Sequence, residues 1–241
     1  MIINVHAGHN PDGKVACGAI GIIRESTEAR NVKNEVIRQL NGLGHTVYDC
    51  TVENGKSANN VLCNIVNKCN AHTADLDVSI HFNAGAKDVD GNGKTTGVEA
   101  IIYSDNSKSK NYAQRVVMEI AKLGFKNRGV KVNQKLYVLR KTKAPAMLIE
   151  CCFVDDKDDV ALYDYKGMAT AIVHGITGQQ YIEPSNNTSD DDAVASGSET
   201  IVGDKDSIYR LQVGAYRNKA NAVALQEKLK AAGFDAAIVK A

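Results

Sequence analysis

Four side chains are of the types, and stand at the places, where hydrolytic chemistry could be assembled: His9, Glu25, His81 and Glu150. Two imidazoles and one carboxylate are the ligand set of a zinc site that keeps a coordination position open, and a further carboxylate is what an activated water needs as its base. Each has a plain structural reading when taken alone. His9 follows the apolar run Ile2 to Val5 after Gly8 and could be an ordinary loop histidine. His81 ends the run Leu76, Val78, Ile80, where a strand meets solvent. Glu25 could be a first-turn acid that complements a helix dipole. Glu150 closes the very apolar segment Ala146 to Ile149, and a carboxylate emerging from a buried strand needs a partner. Two rivals stand nearby, His6 for the first histidine and Glu28 for Glu25. Cys151 and Cys152 directly follow Glu150, so a cysteine nucleophile with a histidine base is the alternative chemistry. It is the weaker one, because the strand is apolar and no basic group adjoins them. His45, His72 and His174 are expected to be structural.

These groups need a scaffold, and the pattern of residues 1 to about 178 supplies one. Short apolar β-type runs alternate with longer helix-period segments, which signals an α/β fold: a twisted, mostly parallel sheet of about six strands with helices on both faces. Expected strands are Met1 to His6, His45 to Thr51, Leu76 to Phe82, Gly97 to Ser104, Lys135 to Leu139 and Pro145 to Cys151. Expected helices are Thr27 to Leu43, Ser57 to Ala71, Ser107 to Leu123 and Asp164 to Thr177. In the first of these, Val32, Val36, Ile37, Leu40 and Leu43 share a face, and Arg30, Lys33, Asn34 and Arg38 fall away from it. The acidic run Asp155 to Asp159 lacks the spaced Gly and terminal Glu of a calcium loop, and a solvated loop is expected there.

The net charge of the 241 residues is +1, which gives no reason to expect a nucleic-acid partner held by phosphate contacts. That neutrality is a cancellation. Residues 1 to 180 carry about +3, residues 181 to 206 about −6 and residues 207 to 241 about +4. The middle stretch, 179 to 206, is rich in Asp, Ser, Asn and Thr and is expected to be a flexible linker. The tail, 207 to 241, has the pattern of a strand, a helix and a second strand. A unit that small leaves an open sheet edge, so it is expected to self-associate, pack elsewhere or be half of a duplicated module. No apolar run approaches the roughly 18 residues of a membrane helix, and no insertion into a membrane is expected. The six cysteines are scattered without a CxxC pair and are expected to be reduced and mostly buried.

In sequence order the chain carries V-x-A-G-H, then G-I-I-R-E opening a helix, D-V-S-I-H-F-N-A, G-V-E-A-I-I-Y, N-R-G-V-K with L-Y-V-L-R, and A-P-A-M-L-I-E-C-C-F-V. This series resembles the zinc-dependent N-acetylmuramoyl-L-alanine amidases of type 3, across residues 1 to 178. The resemblance implies that His9, Glu25 and His81 bind one Zn2+ and that Glu150 is catalytic. One departure is Val5-His6-Ala7 before Gly8-His9, where the family usually has Asp-Pro or a small residue. The tail, with Y-R-L-Q-V-G-A-Y and N-K-A-N-A-V-A-L-Q-E-K-L-K-A-A-G-F-D-A, resembles half of a SPOR repeat module, a family that binds peptidoglycan glycan strands.

The resemblance implies a peptidoglycan hydrolase that cleaves the amide between N-acetylmuramic acid and the L-alanine of the stem peptide. With no basic leader or cleavage site at its N-terminus, the chain is expected to be made in a host cytoplasm without a signal peptide and to reach the wall on lysis, as a phage or prophage endolysin does. A bacterial autolysin of the same chemistry is the alternative, and a wall-binding protein without activity the reading from another class.

Overall fold

The computed structural model describes residues 1–183, together with Gln226 and Lys230 in helical backbone. The expected unit at 207–241, most of the expected linker, and self-association through the tail fall outside the described residues. The chain divides into two units, Met1–Ser185 and Asn186–Ala241, and the elements below belong to the first. They run β1 (Ile2–Ala7), α1 (Glu25–Gly42), β2 (Thr46–Asp49), α2 (Ala58–Asn70), β3 (Leu76–Asn83), β4 (Val98–Ile102), α3 (Lys110–Ala121), β5 (Asn127–Val132), α4 (Tyr137–Lys141), β6 (Ala146–Phe153), α5 (Lys157–Leu162) and α6 (Tyr165–Thr177).

The six strands form one sheet in the order β2-β1-β3-β6-β4-β5. Every neighbouring pair is parallel except β4 and β6. The central strands are flanked on both edges and covered on both faces, which is why β1, β3 and β6 are nearly continuous apolar runs. Helices α1, α6 and α3 pack on one another and on the sheet, enclosing a core that includes Val36, Leu40, Ile80, Ile102, Ile120, Ile149 and Ile172. The opposite face is covered by α2 and α4, which bury Val61, Ile65, Val138 and Leu139 against Leu148. Local signals set the helix ends: Ser57 Oγ accepts the Asn60 N–H, Asp164 accepts the Gly167 N–H, and Gly178 ends α6 at φ 72°.

Three expectations change. Lys135 to Leu139 is not a strand; Tyr137–Lys141 is the short helix α4, whose Val138 and Leu139 are buried beneath α2. The four apolar residues Leu136 to Leu139 are too short a run to distinguish the two periods. The sixth strand is instead Asn127–Val132, whose Gly and charged residues suit an edge strand paired on one side only. The third change concerns Asp155 to Asp159. The segment is not a solvated loop, because Asp156 and Asp159 are fully buried. Asp156 caps α5 by accepting the Asp158 and Asp159 N–H groups, and Asp159 accepts from Gly97 and Phe153. All six cysteines are free, and Cys50, Cys69, Cys151 and Cys152 are buried.

Candidate metal centre

The carboxyl ends of β1 and β3 lie side by side, since Ala7 is in register with Ile80 and the Gly8 N–H donates to the Ile80 carbonyl. The chain then turns sharply. His9 has φ 65°, the left-handed region that few non-glycine residues occupy, and such strain collects where function requires it. Arg30 of α1 holds this turn by donating to the His9 and Val52 carbonyls. The turn brings the His9 ring to 4.9 Å from that of His81, edge to face.

Glu25, the first residue of α1, completes the cluster. Its Oε1 lies 2.9 Å from His81 Nδ1 and 3.2 Å from His9 Nε2, and it accepts the Phe82 N–H. The other oxygen accepts the Ala19 N–H at 2.7 Å. One potential ligand atom from each of His9, Glu25 and His81 falls within 4.8 Å of the others. Burial opposes ionisation of Glu25, but its hydrogen bonds to His81 and His9 and the charges of those rings outweigh it and hold the carboxyl well below its usual range. The donor set, two imidazoles and an ionised carboxylate already oriented by backbone N–H groups, suits Zn2+ with a position left open.

Two glycines make room for these groups, of which the sequence marks only Gly8, as a turn. A Cβ on Gly8 would lie 2.0 Å from His81 Cε1, and one on Gly18 would lie 2.5 Å from Glu25 Oε2. Gly8 was legible as a turn; that an imidazole lies against its α-carbon depends on strand register. A small pocket of about 80 Å3 opens beside the two rings, walled by Val61, Leu62 and Ile65 of α2 and by Val138 of α4.

Glu150 occupies the next strand, in register with His81 on one side and with Glu99 on the other. Its Oε2 is buried without a hydrogen-bond partner. Burial, reinforced by the charges of Glu25 and Glu99, pushes its carboxyl up to about 8, close to the working pH that suits a group exchanging protons. Glu99, which the sequence singled out only as part of a motif, accepts from Arg128, Lys131 and Asn83.

Neither rival joins the cluster, although His6 lines the same pocket as His9 and His81. His6 is on β1, 1% exposed, with Ser79 Oγ 3.5 Å from its Nδ1; burial and the nearby His81 lower its pKa to about 3. Glu28 accepts from Tyr163 and Asn31. Cys151 and Cys152 are fully buried, and burial pushes both thiols well up. His72 stacks on Tyr48, and His174 pairs with Glu119.

The geometry has counterparts in known proteins. An uncharacterized protein of Clostridium perfringens is 41% identical over 168 residues, which cover 69% of this chain and 48% of that protein; the chain thus spans about half the length of that relative. The N-acetylmuramoyl-L-alanine amidase CwlM of Bacillus licheniformis is 31% identical over 175 residues, covering 72% of this chain and 60% of the relative. Among solved structures, the catalytic domain of the CD27L endolysin targeting Clostridia Difficile superposes with a TM-score of 0.66 at 27% identity, covering 75% of this chain and 98% of that one. A SPOR domain model matches residues 191–240, taking in part of the acidic stretch. The family model for N-acetylmuramoyl-L-alanine amidase runs over residues 2–178, the span that builds the sheet and brings His9, Glu25 and His81 together, and the chain belongs to that family.

Proposed function

We propose that the chain is a peptidoglycan hydrolase that cleaves the amide between the lactyl carbonyl of N-acetylmuramic acid and the L-alanine of the stem peptide. The observation that carries this reading is the convergence of His9, Glu25 and His81 beside a half-buried Glu150 whose buried Oε2 has no partner. His9, Glu25 and His81 would hold the metal. A zinc ion held there supplies Lewis-acid polarisation of the scissile carbonyl and of a water.

The residues of the chain do the rest. Glu150 accepts a proton from the attacking water and returns it to the departing amine nitrogen. Its placement beside His81, one strand along, supports this role, as does the Oε2 atom left without a hydrogen-bond partner. Glu25, ionised and fixed by the Ala19 N–H, keeps His9 and His81 in one arrangement. The setting is the cell wall. Residues 191–240 are the part that would bind glycan strands, and the likeness to an endolysin catalytic domain supports release by phage lysis.

The experiment is digestion of purified peptidoglycan with and without chelator, with the new ends identified by mass spectrometry. Free L-alanine amino termini that vanish with chelator and return with zinc are expected. New reducing sugars, or cuts within the peptide, would replace the bond assignment, and no cleavage would favour a binding protein.

A further inference from the structure

Beyond Glu150 the sheet carries a second polar cluster, on the side away from the two histidines. His81, Glu150 and Glu99 are consecutive register partners across β3, β6 and β4, so their side chains leave the same face. The last strand, β5, is irregular here. Its register against β4 shifts between Val98 and Ala100, and Gly129 has φ 80°. In a regular strand residues 128 and 131 would face opposite ways; the extra residue of a bulge restores both to one face. As a result Arg128 Nε donates to Glu99 Oε2 at 2.6 Å, and Lys131 Nζ donates to the same oxygen. The Glu99 oxygen Oε1 is taken by Asn83 Nδ2.

The charges do not cancel. Glu99 is 5% exposed, and one buried carboxylate is neutralised by one cation. Two are supplied, with side chains 27% and 46% exposed. Among the described residues Arg128 hydrogen-bonds through Nε alone, and its guanidinium carbon lies 5.0 Å from the Phe153 ring centroid. A guanidinium anchored through Nε, with the edge formed by its two terminal nitrogens free and a partly exposed ammonium beside it, is a carboxylate receptor.

We propose that Arg128 and Lys131, held by Glu99 on the bulged edge strand, form a subsite for a free carboxylate of the substrate, borne by the second peptide residue past the scissile amide. The inference rests on the amidase reading for the position of that amide. Glu99 draws both cations toward β4, so they lie about one to two strand spacings, roughly 5–10 Å, from the Glu150 row, which extended peptide covers in two or three residues at roughly 3.4 Å each.

The test compares two synthetic muramoyl tripeptides that differ only in whether the second residue carries a free carboxylate or its carboxamide, using the zinc-loaded full chain. The wild type is expected to favour the carboxylate at least about tenfold in kcat/KM, through KM. Arg128→Gln should bring the two substrates to the same kcat/KM, while Arg128→Lys, which keeps the charge, should restore part of the preference. Equal handling of both substrates by the wild type, or a preference that survives both Arg128→Gln and Lys131→Gln, would overturn the subsite and leave the amidase reading standing. If neither substrate is cleaved, the amidase reading fails, and calorimetric titration with the same two tripeptides decides: tighter binding of the carboxylate form that is lost in Arg128→Gln upholds the subsite, and binding indifferent to charge, or none, overturns it.

Discussion

Glu150 and His81 are lateral neighbours in the sheet, paired in register across β6 and β3. Two side chains that leave one face from adjacent strands stand about 5 Å apart at their bases, a spacing that would let the proposed base serve a water at the candidate metal centre. Sheet register, rather than a flexible loop, therefore sets their separation, and the pair should behave as two separable functions. Glu150→Gln is expected to lower kcat by about 10²- to 10⁴-fold and leave the zinc stoichiometry at one per chain, whereas His81→Ala should lose both. Turnover together with metal analysis on the same samples checks this, and loss of zinc in Glu150→Gln would assign that residue to the ligand set instead.

The imidazole of His81 is supported by an absence, the missing side chain of Gly8. A methyl there would come within 2.6 Å of three ring atoms, and the ring cannot stay where it is. Gly8→Ala is therefore expected to weaken zinc binding by about 10- to 100-fold, the usual cost of disturbing a ligand's support. A zinc titration against a competing chelator measures it. Unchanged affinity would show that His81 can be displaced and still bind.

Glu150 also ties stability to pH. Its carboxyl, ordinarily near 4.5, is raised to about 8 by burial and then by Glu25 and Glu99. In the zinc-free protein the folded state thus binds the proton more tightly than the unfolded chain does. Stability from this group is fully present below pH 4.5, falls as pH rises, and is lost by about pH 8, a change on the order of a few kcal/mol. Glu150→Gln cannot lose a proton. Urea unfolding of the chelated wild type and variant should show their difference growing from pH 5 to pH 8, in favour of the variant, and a constant difference would contradict the assigned burial.

Much of this site was legible because chemistry and pattern coincide at its residues. His9, His81 and Glu150 each terminate an apolar run, and Glu25 opens an amphipathic helix, so each position is marked by a change of period. Glu99 and Gly8 carry no such mark, because their roles arise from which strands become neighbours. The strand Asn127–Val132 was missed for a related reason: Arg128, Gly129 and Lys131 suit a bulged edge with cations on one face, a pattern without alternation. The helix Tyr137–Lys141 reads as a strand because the apolar run that enters it, Leu136 to Leu139, is only four residues long. In Asp155 to Asp159 the charges suggested solvent, but their partners are backbone N–H groups, which no sequence displays.

Asp159 shows what those hidden partners are worth. It is fully buried and accepts the N–H of Gly97 at 3.0 Å and that of Phe153 at 2.8 Å, joining the start of β4 to the end of β6. Burial pushes its carboxyl up, the Gly97 and Phe153 bonds oppose this, and the charge of Asp156 adds to the rise. Removing the carboxylate would strand two buried donors, each costing about 1–3 kcal/mol. Asp159→Ala is accordingly expected to destabilise the protein by about 3 kcal/mol in urea unfolding. Because β4 and β6 carry Glu99 and Glu150, the same variant should lose activity on heating well before the wild type, while the zinc content of the folded fraction stays at one. A destabilisation below about 0.5 kcal/mol, the range of ordinary surface substitutions, would mean that water replaces the carboxylate at both N–H groups and that Asp159 is not the tie between the two strands.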